Sequence, residues 1–190
     1  MEDAEFSYEI RIPKERIAVL IGPKGKVKKD IEDATHSKLD IDSTEGDITL
    51  SGDDSLGMYT AREIIKAIGR GFNPEIAMLL LHQDYTLEIL NLPDYLGKSK
   101  NKMIRIKGRI IGENGKTRRL IEEHTETSIS VYGKTISIIG KIENASVAKK
   151  AIEDLLSGAP HAAVYRWLEK KRKDLKMREA YDFPVDHEKM

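Results

Sequence analysis

The chain opens on alternating apolar and polar side chains, FSYEIRI at residues 6–12, and this period of two predicts a β-strand. Pro13 ends the strand and can open a short helix that carries Ile17 and Leu20. After a glycine-containing turn, residues 26–35 have apolar side chains at helical spacing, which predicts a second helix. The chain therefore begins as strand, helix, turn, helix.

The next residues predict a hairpin and a helix. Segments 39–41 and 48–50 alternate apolar and polar side chains on either side of a turn at Glu45-Gly46, so we expect two paired strands. Residues 55–68 then place apolar side chains on one helical stripe. A further short apolar helix is expected over residues 76–81.

The second half of the chain repeats this order. Its elements are expected at 85–92 (strand), 98–109 (leading into a helix), 116–123 (helix), 128–131 and 135–139 (hairpin), 145–156 (helix) and 162–173 (extra helix). Ile21 corresponds to Ile111 and Lys26 to Lys116 at one spacing (111 − 21 = 90; 116 − 26 = 90). We therefore predict an α+β protein made by tandem duplication.

These elements divide the chain into a first domain at residues 1–83, a second domain at 84–180 and a polar tail at 181–190. Segment 92–99 contains turn-forming residues. It either links the two domains or leads into the second one.

Composition narrows the class of protein. The chain has 190 residues, of which 39% are hydrophobic, and no apolar run of about eighteen residues, so no membrane span is expected. It has no cysteine, and its five histidines lack ligand spacing, so we predict no metal and no cofactor. The N-terminus lacks a signal-peptide apolar run, so we expect a cytoplasmic location.

Charge is divided unevenly although the formal net charge is zero. Residues 1–97 contain 11 Lys and Arg and 19 Asp and Glu (11 − 19 = −8), and residues 98–190 contain 21 and 13 (21 − 13 = +8). Nine basic residues and one acid lie between Lys98 and Arg119. We therefore expect the second half to attract a polyanion.

Each half contains a glycine pair between two predicted helices, Gly22-Pro23-Lys24-Gly25 and Gly112-Glu113-Asn114-Gly115. Glycine leaves the backbone open to a phosphate and permits positive φ, and the helix that follows directs unpaired N–H groups toward it. Isoleucines before the loop and the strand after the second helix would form a shallow groove for bases, as in KH modules. This arrangement predicts binding of single-stranded RNA.

The candidate RNA-binding residues are those of the two loops and their neighbours. They are Gly22, Pro23, Lys24, Gly25 and Lys26 in the first half, and Arg109, Ile111, Gly112, Glu113, Asn114, Gly115, Lys116, Arg118 and Arg119 in the second. Arg118 and Arg119 point about 100° apart on a helix, so we expect only one to face RNA beside Lys116. Because the loop is expected to be exposed, we also expect Gly112 and Gly115 to accept side chains without unfolding.

Enzymatic alternatives fit the sequence less well. The segment GENGKT is similar to a shortened phosphate-binding P-loop, but Ile110 stands where that motif requires its first glycine. No catalytic Ser/His/Asp set can be read from the sequence. Tyr165 and Trp167 lie on an apolar stripe and indicate packed core rather than a base-stacking platform. We therefore predict no enzymatic activity.

The segment KGRIIGENGKTRRLIEEHTETSISVYGKTISIIG, followed by LLSGAPHAAVYRWLEKKR, resembles the tandem-KH ribosome-assembly proteins, archaeal relatives of the eukaryotic "partner of Nob" and Krr proteins. The resemblance covers nearly the whole chain and is strongest from Lys107 to Leu168. It implies two type-I KH domains (strand-helix-helix-strand-strand-helix), each with an extra C-terminal helix, and no catalysis of its own. It also implies binding near the 3′ end of small-subunit rRNA, with a Nob-type endonuclease and other subunit-assembly or initiation factors as partners.

Two other functions stay open at this point. One is a KH-type regulator of other RNAs, and the other is a KH-fold protein–protein adaptor, which the acidic first half favours. Both halves keep a GxxG loop, whereas the eukaryotic relatives tend to lose the first. Whether the first half binds RNA or protein is therefore also open.

Overall fold

Residues 6–182 are described in a computed structural model. The first unit runs from β1 to a short 3-10 turn that follows α4. Its elements are β1 Phe6–Arg11, α1 Lys14–Ile21, α2 Lys26–Thr35, β2 Lys38–Asp42, β3 Asp47–Gly52, α3 Ser55–Gly69, α4 Pro74–Ala77 and the 3-10 turn Met78–Leu81. Each strand and each major helix predicted for this half is present.

The second unit repeats the order of elements. It consists of β4 Tyr85–Asn91, α5 Leu92–Leu96, α6 Lys100–Ile111, α7 Lys116–Thr125, β5 Ser128–Tyr132, β6 Thr135–Lys141, α8 Ile142–Leu156 and α9 His161–Asp182. The short helix α5 was not predicted; its Pro93 occupies the first turn, where a missing N–H has no cost. Helix α9 includes Tyr181 and Asp182, and the rest of the predicted tail, residues 183–190, lies outside the described residues.

Each unit has a three-stranded antiparallel sheet, ordered β1-β3-β2 in the first and β4-β6-β5 in the second. The middle strand of each sheet comes last in the chain. Leu50 of β3 pairs with Tyr8 on one side and with Leu39 on the other, and the two outer strands thus lie at the sheet edges. This topology confirms the predicted α+β class with two KH-type units.

Helices cover one face of each sheet and enclose an apolar core. Leu20, Ile31 and Ile65 are fully buried in the first unit, as are Ile110 and Ile121 in the second. These five side chains come from helices, and Leu50 and Ile136 are fully buried on the sheet faces that the alternation predicted. The two glycine loops lie outside these cores, at the junction of α1 with α2 and of α6 with α7.

The two cores meet at the second sheet. Ile139 of β6 is buried within the apolar cluster of the first unit, and Tyr85 and Leu87 of β4 pack against the same cluster. The second sheet therefore contacts its own helices on one face and the first unit on the other. Within residues 6–182, no helix is both long enough and apolar enough to span a bilayer.

Candidate nucleic-acid interface

The second glycine loop is a single 3-10 turn between α6 and α7. Gly112, Asn114 and Gly115 have φ angles of 73°, 50° and 77°, and the Gly115 N–H donates to the Gly112 carbonyl at 3.2 Å. Asparagine adopts the left-handed region more readily than most residues, which suits Asn114 to its place. The loop thus has a fixed backbone shape before any ligand is present.

The first loop has the same shape although its side chains differ. Gly22, Lys24 and Gly25 have φ angles of 70°, 53° and 75°, and the Gly25 N–H donates to the Gly22 carbonyl at 3.2 Å. Pro23 is exposed, as are Lys24 and the Lys26 that begins α2. The duplication has therefore preserved the backbone conformation of the loop and not its charge.

The two glycines of each loop have different roles. A Cβ atom added at Gly112 would lie 2.3 Å from Thr117 Oγ1, and one added at Gly22 would lie 2.4 Å from Val27 Cγ2. A Cβ at Gly115 would meet no atom within 4 Å. The expectation that Gly112 accepts a side chain is therefore wrong, because the loop folds tightly onto the next helix there. Of the two glycines in the second loop, only Gly115 leaves open space beside the backbone, and Gly25 does the same in the first loop.

The start of α7 is available to an anion. No side chain caps the helix, whose N-cap is Gly115, and Lys116 at its first position is exposed. The first N–H groups of a helix have no partner within the helix, and they lie at the positive end of its dipole. In α7 the Lys116 N–H donates to the Glu113 carbonyl of the loop, so the N–H groups that follow it are the ones to consider. Together with the space beside Gly115, they form a surface that suits a phosphate group.

The two predicted arginines of α7 make different contacts. Arg119 is exposed, and its Nη2 donates to the Asn114 carbonyl of the loop at 2.8 Å. Arg118 extends instead along the helix, with its Nε 3.7 Å from Glu122 Oε2. The structure therefore brings Arg119 beside the loop with Lys116, and directs Arg118 toward its own helix.

Arg109 and Ile111 occupy other places. The Arg109 Nη2 donates to the Ala159 carbonyl at 2.7 Å, and the Arg109 carbonyl is 2.9 Å from His161 Nε2. Arg109 thus joins α6 to the start of α9 and has its partners outside the loop. Ile111 is half-buried and ends α6 directly before Gly112.

Two contacts connect the loop region to other elements, and sequence reasoning missed both. Thr117 is buried, and its hydroxyl lies 2.8 Å from the Tyr165 hydroxyl of α9. Lys107 Nζ of α6 donates to the carbonyl of Gly133, in the turn between β5 and β6. A threonine after the glycine loop was visible in the sequence, but a partner 48 residues away was not.

Strand β5 lies beside α7, the helix that follows the glycine loop. The Ile129 N–H donates to Glu122 Oε1 of α7 at 2.8 Å, so α7 and β5 are joined directly. Val131 of the same strand packs against the apolar cluster of the second unit. In a KH module, the groove predicted from the sequence would have α6, the loop and α7 along one side and β5 along the other.

The first unit repeats some of this electrostatic pattern. Lys28 lies 3.9 Å from Glu32 in α2, and Arg118 lies 3.7 Å from Glu122 in α7. The two residues of each pair are four positions apart in the chain. Lys24 and Lys26 are the exposed cations of its loop region. Among residues 6–182, no group of three or more His, Asp or Glu side chains is arranged to hold a metal ion.

Comparison with known proteins finds a KH domain in each half of the chain. The family model of the second PNO1 domain, described as a eukaryotic-type KH domain (KH-domain type I), matches residues 86–173, and a general KH-domain model matches residues 7–67. The KH domain-containing protein MJ0443 of Methanocaldococcus jannaschii is 48% identical over 171 residues, which cover 88% of this chain and 74% of that protein.

A eukaryotic relative and a solved structure extend the comparison. The RNA-binding protein pno1 of Dictyostelium discoideum is 32% identical over 175 residues, covering 87% of this chain and 72% of that protein. A chain in the crystal structure of the a/eIF2alpha-aDim2p-rRNA complex from Pyrococcus horikoshii OT3 is 47% identical. It superimposes with a TM-score of 0.84 over 91% of this chain and 97% of that chain.

Proposed function

This chain belongs to the family of tandem-KH proteins that includes archaeal Dim2 and eukaryotic PNO1, and we propose that it is an RNA-binding assembly factor for the small ribosomal subunit. The observation that carries the proposal is the second glycine loop. It has open space beside Gly115, an uncapped helix start, and the exposed cations Lys116 and Arg119.

The loop would hold the RNA backbone and the groove would hold the bases. In KH modules the GxxG loop clamps about four nucleotides of a single strand, while the exposed base edges face the groove. Lys116 and Arg119 would contact phosphates, with the first N–H groups of α7. The other loop residues, Gly112, Glu113 and Asn114, would give the backbone its approach and shape.

The RNA target follows from the family. The Pyrococcus relative forms a complex with rRNA and a/eIF2alpha. For this chain we infer the 3′ region of small-subunit rRNA as the target, with an initiation factor and a Nob-type endonuclease as protein partners. It would act in the cytoplasm and carry out no chemical step itself.

The first unit favours a second, protein-binding role. The guanidinium of Arg62 lies 5.6 Å from the ring centroid of Tyr8 and 5.3 Å from that of Tyr59, and both rings are exposed. Exposed tyrosine and arginine side chains are enriched in protein interfaces. The net charge of −5 in residues 1–83 (11 − 16 = −5) also disfavours a polyanion over most of this unit.

The test is to identify the RNA that the full chain retains in cells. The wild-type chain and its Lys116→Ala variant would be purified after cross-linking, and the bound RNA would be sequenced. We expect enrichment of the 3′ region of small-subunit rRNA with the wild type and clearly less with the variant. Scattered transcripts would indicate a regulator of other RNAs, and the absence of RNA would indicate a protein adaptor.

A further inference from the structure

The far side of the RNA groove touches the first unit. Strand β5 is an edge strand that pairs only with β6. Ile129 and Val131 face the core of the second unit, while Ser130 and Tyr132 point the other way. The Ser130 hydroxyl donates to the Arg70 carbonyl at 2.8 Å, and the Tyr132 hydroxyl donates to Glu15 Oε1 at 2.5 Å.

Gly71 permits this close approach. It has a φ of +97°, and a Cβ atom there would lie 2.7 Å from Ser130 Oγ and 3.0 Å from Tyr132 Cβ. The backbone between α3 and α4 therefore lies directly against the outer face of β5. The hydrogen bond between Tyr132 and Glu15 also changes the pKa of both groups. The Tyr132 hydroxyl lowers the pKa of Glu15, and the Glu15 carboxylate raises the pKa of Tyr132.

Among residues 6–182, no equivalent contact supports strand β2 of the first unit. The positions that match Ser130 and Tyr132 are Asp40 and Asp42 of β2 (130 − 90 = 40; 132 − 90 = 42), and both are exposed. Asp42 bonds within its own turn, accepting from the Thr44 N–H at 2.8 Å. The contact between units is thus one-sided, because it supports β5 and leaves β2 exposed.

We propose that Glu15, through Tyr132, is a positioning residue for RNA binding: the first unit holds strand β5 in place and so preorganises the groove of the second unit. The proposal rests on the proposed function. Lys107 restrains the turn after β5 from the groove side, and Glu15 and Arg70 restrain the strand from behind. A wall that is already ordered loses less conformational freedom when RNA binds, which strengthens binding without any added contact to RNA.

The test uses the full chain and a matched control. Glu15→Ala removes the acceptor, whereas Glu15→Gln keeps an oxygen that can accept from Tyr132. Glu9→Ala removes an exposed carboxylate from the same unit, so it makes the same change in net charge without touching β5. Single-stranded RNA from the 3′ end of small-subunit rRNA would be titrated at several salt concentrations, and amide hydrogen exchange of residues 128–133 would be measured without RNA.

We expect Glu15→Ala to bind RNA on the order of threefold to tenfold more weakly than Glu9→Ala, the range that one ordinary, solvent-exposed hydrogen bond supplies. The slope of log affinity against log salt concentration (the salt slope) should be unchanged, because no phosphate contact is lost. Exchange in residues 128–133 should be faster, and Glu15→Gln should restore most of the affinity.

Equal affinity in Glu15→Ala and Glu9→Ala would overturn the proposal, as would weaker binding with a lower salt slope or without faster exchange. Failure of the wild-type chain to bind this RNA would refute the proposed function instead. The hydrogen-exchange comparison would still show in that case whether Glu15 holds β5 in place.

Discussion

The two glycines of the second loop have different surroundings, and we expect them to matter for different reasons. Gly112 combines a φ of 73° with a ψ of 175°, a region that essentially only glycine occupies, and it lies against Thr117. Gly115, with a φ of 77° and a ψ of 13°, is in the left-handed helical region and has open space beside it. The first glycine is thus required by the shape of the loop, and the second leaves the backbone open, as the proposed RNA contact needs.

We therefore expect Gly112→Asp to lower the free energy of unfolding by about 3 kcal/mol, because it adds both backbone strain and a steric clash. Gly115→Asp should cost only about 1 kcal/mol, yet it should weaken RNA binding more than tenfold, because its carboxylate occupies the phosphate position. Urea denaturation and RNA titration of both variants check this. Gly115→Asn is the control for size without charge and should retain more affinity than Gly115→Asp.

The cations of α7 give a second prediction at the same scale. Lys116→Ala and Arg119→Ala should each lower the affinity for RNA and reduce the salt slope by roughly 0.7, the contribution of one phosphate contact on a single strand. Arg118→Ala should change neither quantity, because Arg118 lies along Glu122. The effects should be similar for different RNA sequences, since phosphate contacts carry no base information. If Lys116→Ala keeps the salt slope of the wild type, the RNA backbone does not bind at this loop.

At the scale of elements, helix α9 is joined to the loop through Thr117 and Tyr165. Thr117 is buried, so its hydroxyl depends on Tyr165 for a hydrogen bond. The first unit has Val27 at the matching position (117 − 90 = 27) and a four-residue helix, Pro74–Ala77, in place of the long α9. The hydroxyl pair is therefore a feature of the second unit alone.

Tyr165→Phe should lower the free energy of unfolding by about 1 kcal/mol, because it leaves the Thr117 hydroxyl buried without a partner. Thr117→Val removes that hydroxyl, and the double variant should cost less than the sum of the single changes. A double-mutant cycle by urea denaturation measures this coupling. If the two effects simply add, the hydroxyls do not interact in solution.

The elements themselves were largely predictable, because each strand and helix carries its own period of apolar side chains. Prediction failed where an element is too short to show a period, as in α5, or where its environment is set from far along the chain. Ala34 is one of the apolar side chains at helical spacing in residues 26–35, yet it is exposed. The glycines located the loops. The hydrogen-bond partners of Arg109 and Thr117 could not be predicted, because they lie about fifty residues away in the chain.

At the scale of the whole molecule, the two units share part of their core. Ile139 of the second unit is buried in the cluster of the first, with Tyr85 and Leu87 beside it. Division of the chain at the predicted boundary between residues 83 and 84 would expose this apolar surface. The contribution of each unit to RNA binding is therefore best measured with substitutions in the full chain, and not with isolated halves.

The matched glycines Gly25 and Gly115 make that comparison possible. Both have φ angles near 76° (75° and 77°), and neither has an atom within 4 Å of an added Cβ. An aspartate should therefore cost the same stability at either site, so a difference in RNA affinity reports on binding alone. Lys24 gives the first loop a cation that the second lacks, which favours the first loop for phosphate contact.

We nevertheless expect Gly115→Asp to weaken RNA binding at least tenfold more than Gly25→Asp. Residues 98–190 have the excess of basic charge, +8 against −8 for residues 1–97 (21 − 13 = +8; 11 − 19 = −8), and the groove of the second unit is supported from behind by Glu15 and Arg70. Titration of both variants with the same single-stranded RNA at one salt concentration gives the comparison, after urea denaturation has shown equal stability. Equal losses would mean that one RNA strand engages both loops. A larger loss in Gly25→Asp would mean that charge within the loop outweighs the support of the groove, and the first unit would then be the main RNA site.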